Sequence, residues 1–317
     1  MKIVFLFSGQ GSHYRGMGQS LFEHNTVFRN SLMQSECIVQ KLLSRSLIDE
    51  LYSGRQEVFD DLLMTHPAIV AVEIAMFQVL QDIGIQADYV SGNSLGEFAA
   101  GAVNGVWSVE TALESAIEQA KSFTREAIPG GMIAILHHDR KKLESLYDEF
   151  GLFLAADNFE GHFTLSGPLQ ELSSFQTELK KRAIDFIRLP VQYPFHSPLT
   201  KGCGMEFIYY MENLQLSRPR PGFVSGLMGE EISSLSATYF WEVVSNYTNF
   251  PEVVKLLEKK GPCLYIDLGP SGTSATFVKY NLSKTSASHT FQIMTPFRME
   301  LQKLKDLELL MEKVSRS

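Results

Sequence analysis

The sequence predicts an α/β fold in which a large unit built on a parallel sheet carries a small inserted unit. Three observations predict it: an apolar strand running into a glycine-rich loop at the N-terminus, a strand–tight turn–helix unit near residue 94, and a compact β-α-β-β-α-β series between Gly130 and Pro190. Residues 2–7 (Lys-Ile-Val-Phe-Leu-Phe) form a nearly continuous apolar run ending at Ser8-Gly9, as expected of a strand covered on both faces.

The remaining elements follow in order. Residues 67–84 read as a largely buried helix, with Pro67 suited to its first turn and Gly84 to its end. Tyr89-Val90-Ser91 is a short β-prone segment, Gly92-Asn93-Ser94-Leu95-Gly96 is a tight turn, and helices are expected over 97–103 and 109–127. The inserted series runs strand 132–136, helix 139–150, strands 152–157 and 162–166, helix 169–182 and strand 185–189. That order is the ferredoxin-like pattern, for which about 60 residues suffice. Residues 129–190 are therefore assigned to a small ferredoxin-like subdomain, and residues 1–128 with 191–317 to the large one. A stiff loop at 193–198, helices at 204–214, 239–245 and 251–260, strands near Phe223 and at 263–268, and a terminal amphipathic helix at 299–314 complete the large unit.

Composition narrows the function. The 317 residues carry 28 Lys+Arg against 36 Asp+Glu, a formal net charge of −8, with 44% hydrophobic residues, as in an ordinary globular chain. No basic run exceeds Lys180-Lys181-Arg182, so a nucleic-acid footprint is not indicated. The longest uninterrupted apolar stretches fall far short of the roughly 20 residues needed to cross a bilayer, and no signal-peptide pattern opens the chain. A cytoplasmic protein without membrane association is expected. Cys37, Cys203 and Cys263 are odd in number, widely spaced and without CxxC spacing, so three buried thiols are expected and neither a disulfide framework nor a metal site.

Gly92-Asn93-Ser94-Leu95-Gly96 matches G-x-S-x-G between a strand and a helix, where the motif presents a serine hydroxyl on a strained elbow beside a helix N-terminus. A structural turn needs the same small residues. A serine nucleophile needs a base, and His196, in the proline-stiffened loop Tyr193-Pro194-Phe195-His196-Ser197-Pro198, is the best placed of the eight histidines. An exposed loop histidine is the alternative. No acidic residue beside a strand end stands out as its orienting partner, which leaves a His–Ser dyad steered by a backbone carbonyl. The loop Ser8-Gly9-Gln10-Gly11-Ser12 could offer backbone N–H groups to an oxyanion or be a plain tight turn; it lacks phosphate-binding spacing.

Together, Phe7 to Ser12, Gly92 to Glu97, Gly131-Met132 with Ala134, Asn158 followed by Ser166-Gly167, Phe195-His196-Ser197 and Asp267-Leu268-Gly269-Pro270 resemble the malonyl-CoA:acyl carrier protein transacylase family in order and spacing. The resemblance covers nearly the whole chain. It implies an α/β-hydrolase-like large subdomain, Ser94 as acyl-bearing nucleophile, His196 as base, the Gln10 and Leu95 backbone amides as oxyanion hole, and Asn158 on the active-site side of the small subdomain. It also places the carbonyl that orients the histidine around Val243.

Two departures carry information. Asn93 stands where the family elbow has histidine, and Gln119 where carboxylated-acyl transferases place an arginine for the malonyl carboxylate. The helix neighbours of Gln119 are Ser115, Ala116, Ser122 and Phe123; Lys121 and Arg125 lie about 200° and 240° around the helix. Burying a carboxylate there without a cation would cost several kcal/mol, so a neutral acyl substrate is expected, with Asn93, Gln119 and Asn158 as substrate-binding positions.

The loss of arginine resembles the free-standing acyltransferase-like acyl hydrolases of trans-acyltransferase polyketide synthases. That branch implies hydrolysis of stalled acyl groups from the phosphopantetheine arm of an acyl carrier protein, with no cofactor of the enzyme's own. Acyl transfer between CoA or carrier proteins is the second reading, and a catalytically silent docking subunit the third. Lys180, Lys181 and Arg182, or Arg218 and Arg220, are candidate contacts for an acidic carrier protein. Met205, Phe207, Tyr209, Tyr210 and Met211 form either an acyl channel or a packed helix face. A monomer is expected.

Overall fold

The computed structural model describes residues 1–54 and 57–315. Its elements run β1 (Lys2–Phe7), α1 (Gln19–His24), α2 (Thr26–Leu43), α3 (Leu47–Tyr52), α4 (Leu62–Asp82), β2 (Tyr89–Gly92), α5 (Gly96–Asn104) and α6 (Val109–Glu126). There follow β3 (Gly130–Leu136), α7 (Lys141–Glu149), β4 (Phe153–Phe159), β5 (His162–Pro168), α8 (Leu169–Lys181) and β6 (Asp185–Arg188). The chain closes with α9 (Met205–Glu212), β7 (Phe223–Val224), α10 (Tyr239–Ser245), β8 (Thr248–Asn249), α11 (Phe250–Lys259), β9 (Cys263–Asp267), α12 (Thr273–Asn281), β10 (His289–Gln292) and α13 (Glu300–Ser315).

One sheet is wholly parallel, in the order β10-β9-β1-β2-β7, with β1 at its centre. Because successive strand residues face opposite sides, Phe5 and Phe7 pack into the large core formed with α4, α5 and α6, while Val4 and Leu6 pack on the other face against α11 residues Val253, Val254 and Leu257. This explains the unbroken apolar run of β1. The second sheet has the order β6-β3-β5-β4-β8; its first four strands pair antiparallel in the ferredoxin-like arrangement and cover a separate core of Ile133, Phe163, Leu165, Phe175 and their neighbours. The two-residue β8 from the large part joins its edge in parallel, Ala156 opposite Thr248. The α/β class and the inserted small fold match the sequence reading.

Two expectations are corrected. First, α4 begins at Leu62, because Asp61 caps it: its Oδ1 accepts from the Leu63 N–H at 3.2 Å and its carbonyl from Met64 and Thr65. Pro67 therefore sits inside the helix. The resulting 21-residue helix is long and apolar enough to cross a bilayer, but 83% of its most apolar window is buried in the core. Second, Cys37 lies exposed on α2, since Leu32, Ser35, Glu36 and Val39 take the buried face; Cys203 and Cys263 are buried. On α9 the packed-face alternative holds: Phe207 and Met211 turn into the core while Met205 and Tyr209 are 75% and 70% exposed.

Candidate active site

The C-terminal ends of β1 and β2 bring two loops together. Gly92 and Gly96 are obligatory in the second: a Cβ on Gly96 would strike the Phe7 carbonyl, and one on Gly92 the backbone of Gly96 and Glu97. The Asn93 N–H donates to the Phe7 carbonyl at 2.8 Å, tying the elbow to β1. Ser94 then takes φ 55°, the strained left-handed conformation expected of an elbow, and projects from the start of α5.

His196 meets it from the far side of the chain. Ser94 Oγ and His196 Nε2 are 2.9 Å apart. His196 Nδ1 lies 2.7 Å from the Asn246 carbonyl, an acceptor only, so Nδ1 carries the proton and Nε2 the lone pair facing Ser94. The orienting carbonyl is thus Asn246, not one near Val243; α10 ends at Ser245, so the Asn246 carbonyl is not drawn into the helix. The His196 N–H donates to Val244 O at 3.0 Å, fixing the backbone on the same segment. Burial pulls the imidazole down to about 4, against the opposing pull of the Asn246 carbonyl, so it is neutral at physiological pH.

The loop after β1 is held from three directions. The Ser8 N–H donates to Glu73 Oε1 (2.5 Å), Ser12 Oγ to the Gly9 carbonyl (2.8 Å), and Gln10 Nε2 to Thr65 Oγ1 (2.9 Å). Burial drives the Glu73 carboxyl well above its usual range. Among the described residues, neither the Gln10 nor the Leu95 backbone N–H donates to a protein acceptor, and both residues line the cleft. Two free amides beside a serine on a helix N-terminus can hold a developing oxyanion.

Ser94, His196, Gln10, Leu95, Asn93 and Asn158 all line one cleft between the two sheets. Asn158 is 4% exposed; its Nδ2 donates to His162 Nδ1 (3.0 Å) and lies 3.3 Å from Thr164 Oγ1, and its carbonyl accepts from Asn281 Nδ2 (2.7 Å), locking β4 to α12. Gln119 is not on the cleft wall. It is fully buried on α6, where its Nε2 is taken up by the Phe240 carbonyl at 2.8 Å and its Oε1 has no partner. No basic neighbour replaces it: Lys121 pairs with Glu118 and Arg125 with Glu206, outside the cleft.

Sequence reasoning did not single out His66, His162, Thr248, Thr273, Ser274 or Phe277, which also line the cleft. Their signal is absent from the sequence because α4, β5, β8 and α12 are brought to the cleft only by the tertiary packing of the fold. Among the described residues, the lining contains no Lys, Arg, Asp or Glu. Its titratable groups are His196, His66, pulled down to about 3, and His162, also lowered, each chiefly by burial. The cleft is therefore uncharged at neutral pH.

Comparison with protein families matches residues 4–317 to the acyl transferase domain. The chain belongs to this family. Among its relatives, the polyketide biosynthesis acyltransferase homolog PksD of Bacillus subtilis is 38% identical over 96% of this chain and 95% of its own length. BaeD of Bacillus velezensis, which bears the same description, is 37% identical over 96% and 95%. Of solved structures, the acyltransferase domain from the second module of the salinomycin polyketide synthase superposes with a TM-score of 0.85 at 27% identity, covering 96% of this chain and 72% of that one. The loading acyltransferase of the avermectin synthase gives 0.88 at 23% identity over 97% and 99%, a likeness of fold. The acyltransferase fold thus places a serine, a histidine and two free amides at the sheet ends of this chain.

Proposed function

We propose that this acyltransferase-family chain is a serine-dependent acyl-thioester hydrolase of polyketide biosynthesis, removing neutral acyl groups from the phosphopantetheine arm of an acyl carrier protein. The observation that carries the reading is the uncharged cleft around Ser94: among the described residues, every one that lines it is neutral at physiological pH. A malonyl carboxylate would lose its hydration there without gaining a cation, at a cost of several kcal/mol, whereas a neutral acyl chain meets Met132, Ala134, Leu189 and Phe195. The setting in polyketide assembly is supported by the likeness to PksD and BaeD.

In the proposed reaction, Ser94 Oγ attacks the thioester carbonyl carbon as its proton passes to His196 Nε2, 2.9 Å away. The carbonyl oxygen becomes an oxyanion between the Gln10 and Leu95 N–H groups. Collapse breaks the C–S bond, the thiol leaves with the proton from Nε2, and an acyl-serine ester remains. Water then attacks that ester, its proton going to His196, and Ser94 Oγ leaves with that proton as the free acid forms. Asn246 stabilises the imidazolium in both halves through Nδ1. Hydroxyls of Ser8, Ser12, Thr164, Thr248, Thr273 and Ser274 on the cleft wall supply polar partners for such a water.

Transfer to a second carrier protein or CoA is the other reading, favoured by the family's own chemistry. Incubation with butyryl- and malonyl-carrier protein plus an unloaded second carrier protein separates them. Free butyrate as the main product, with malonyl spared, is expected; butyryl on the second carrier protein overturns hydrolysis, and equal malonyl turnover overturns the neutral substrate.

A further inference from the structure

We propose that Tyr247 and Asp157 form a positioning pair that ties the inserted subdomain to the catalytic base: their hydrogen bond holds the peptide whose carbonyl accepts from His196 Nδ1. The inference rests on the Ser94–His196 pair of the reading above, and not on whether water or a thiol takes the acyl group.

The Asn246 carbonyl, 2.7 Å from His196 Nδ1, belongs to the same planar peptide unit as the Tyr247 N–H. On its N-terminal side this unit is fixed by the large subdomain. The Asn246 N–H donates to the Glu242 carbonyl at 2.9 Å at the end of α10, and the Val244 carbonyl accepts from the His196 N–H at 3.0 Å. On its C-terminal side it is fixed by the small subdomain. Tyr247 Oη donates to Asp157 Oδ2 at 2.7 Å, and the next two residues, Thr248 and Asn249, pair with Ala156 and Asp157 of β4. The acceptor of the histidine is therefore suspended between α10 and the inserted sheet.

A two-residue ladder supplies few hydrogen bonds, and the side-chain bond adds a fixed point one residue from the carbonyl. Asp157 is itself braced within the small subdomain, since its Oδ1 lies 3.3 Å from Arg140 Nε at the start of α7. Its chain neighbours Ala156 and Asn158 line the cleft, as does Thr248 beside Tyr247. The strands that wall the cleft are thus the ones that hold the acceptor of His196, and a displacement of the inserted subdomain moves the base.

The test needs no thioester. A proton on Nδ1 held by a carbonyl is slow to exchange with water and gives its own downfield NMR signal, assigned by its loss in His196→Ala. A fluorophosphonate, which phosphonylates Ser94 Oγ with loss of fluoride, reads the base-assisted nucleophilicity of the serine. Tyr247 is 39% exposed, so Tyr247→Phe and Asp157→Ala are expected to fold. Each is expected to broaden or remove the Nδ1–H signal and to slow labelling about tenfold, the effect of one hydrogen bond. The double variant is expected to be no slower than the slower single, because both act through one bond. An unchanged signal or labelling rate in folded Tyr247→Phe, or losses that multiply in the double variant, overturn the proposal. Where His196→Ala is labelled as fast as the wild type, the serine–histidine reading falls, and the NMR signal alone decides the pair.

Discussion

Ser94 and His196, whose reactive atoms meet at 2.9 Å across 102 residues of sequence, both take φ 55°, in the left-handed region that L side chains rarely adopt. Each such residue costs on the order of 1–3 kcal/mol and persists only where its surroundings enforce it. Here the glycine-bounded elbow enforces one, and the His196 N–H bond to Val244 the other.

That strain yields the first prediction. Ser94→Gly is expected to be more stable than Ser94→Ala by about 1 kcal/mol, because glycine takes positive φ without a Cβ penalty. Both variants lose the acyl-enzyme. Chemical denaturation checks it; an equal or more stable Ser94→Ala would contradict the strain.

The second concerns pH. With His196 at about 4, the base stays neutral well below the usual histidine range, so the acid limb of kcat/KM should fall near pH 4 rather than 6.5. Stability has its own acid dependence. His13, His66 and His196 are all lowered in the fold, to about 4, 3 and 4, so their contribution to stability falls as pH drops from 6.5 toward 4, against the opposite contribution of the buried carboxyls of Glu73, Glu97 and Asp267, which burial raises. Short assays from pH 4 to 8, paired with melting curves, separate the two; an acid limb at pH 6.5 in a folded enzyme contradicts the burial of His196.

The third follows from Gln119. Gln119→Arg places a guanidinium where the side chain is fully buried and only the Phe240 carbonyl awaits it, an uncompensated charge costing about 3–5 kcal/mol. The variant should melt lower than the wild type, regain stability with malonyl thioester, and gain malonyl loading. Unchanged malonyl loading in a folded variant would place the carboxylate elsewhere.

A fourth lies in the first turn of the elbow helix. Glu97 is fully buried and accepts from the Gly226 N–H, and burial raises its carboxyl from 4.5 to about 8. The folded state therefore holds a proton that the unfolded chain releases, and stability is lost as pH rises from about 4.5 to about 8, at roughly 1.4 kcal/mol per unit. Glu97→Gln removes this dependence. Its stability relative to wild type should grow across that window; a constant difference would show that Glu97 is ionised throughout.

Much of this was legible in the sequence, for physical reasons. The runs of β1 and the inserted series are short, periodic and bounded by glycine or proline, and they form where the pattern puts them. The elbow was legible because its sterics demand glycine at fixed positions. The long-range partners were not. Asn246 orients His196 through a carbonyl, which every residue has, so nothing in its side chain marks it. His66 reaches the cleft because Asp61 starts α4 five residues ahead of Pro67, a capping choice that outweighs the proline's signal. Gln119 was read correctly as uncharged, but its capture by Phe240 depends on how α10 packs against α6.

The most direct test of the account is intact-mass spectrometry of the wild type and Ser94→Ala after brief exposure to butyryl- and malonyl-carrier protein, with the released acid quantified. The account predicts a butyryl adduct that requires Ser94, decays to free butyrate, and has no malonyl counterpart. A malonyl adduct formed as readily, or a butyryl adduct that persists until a second carrier protein accepts it, would contradict it.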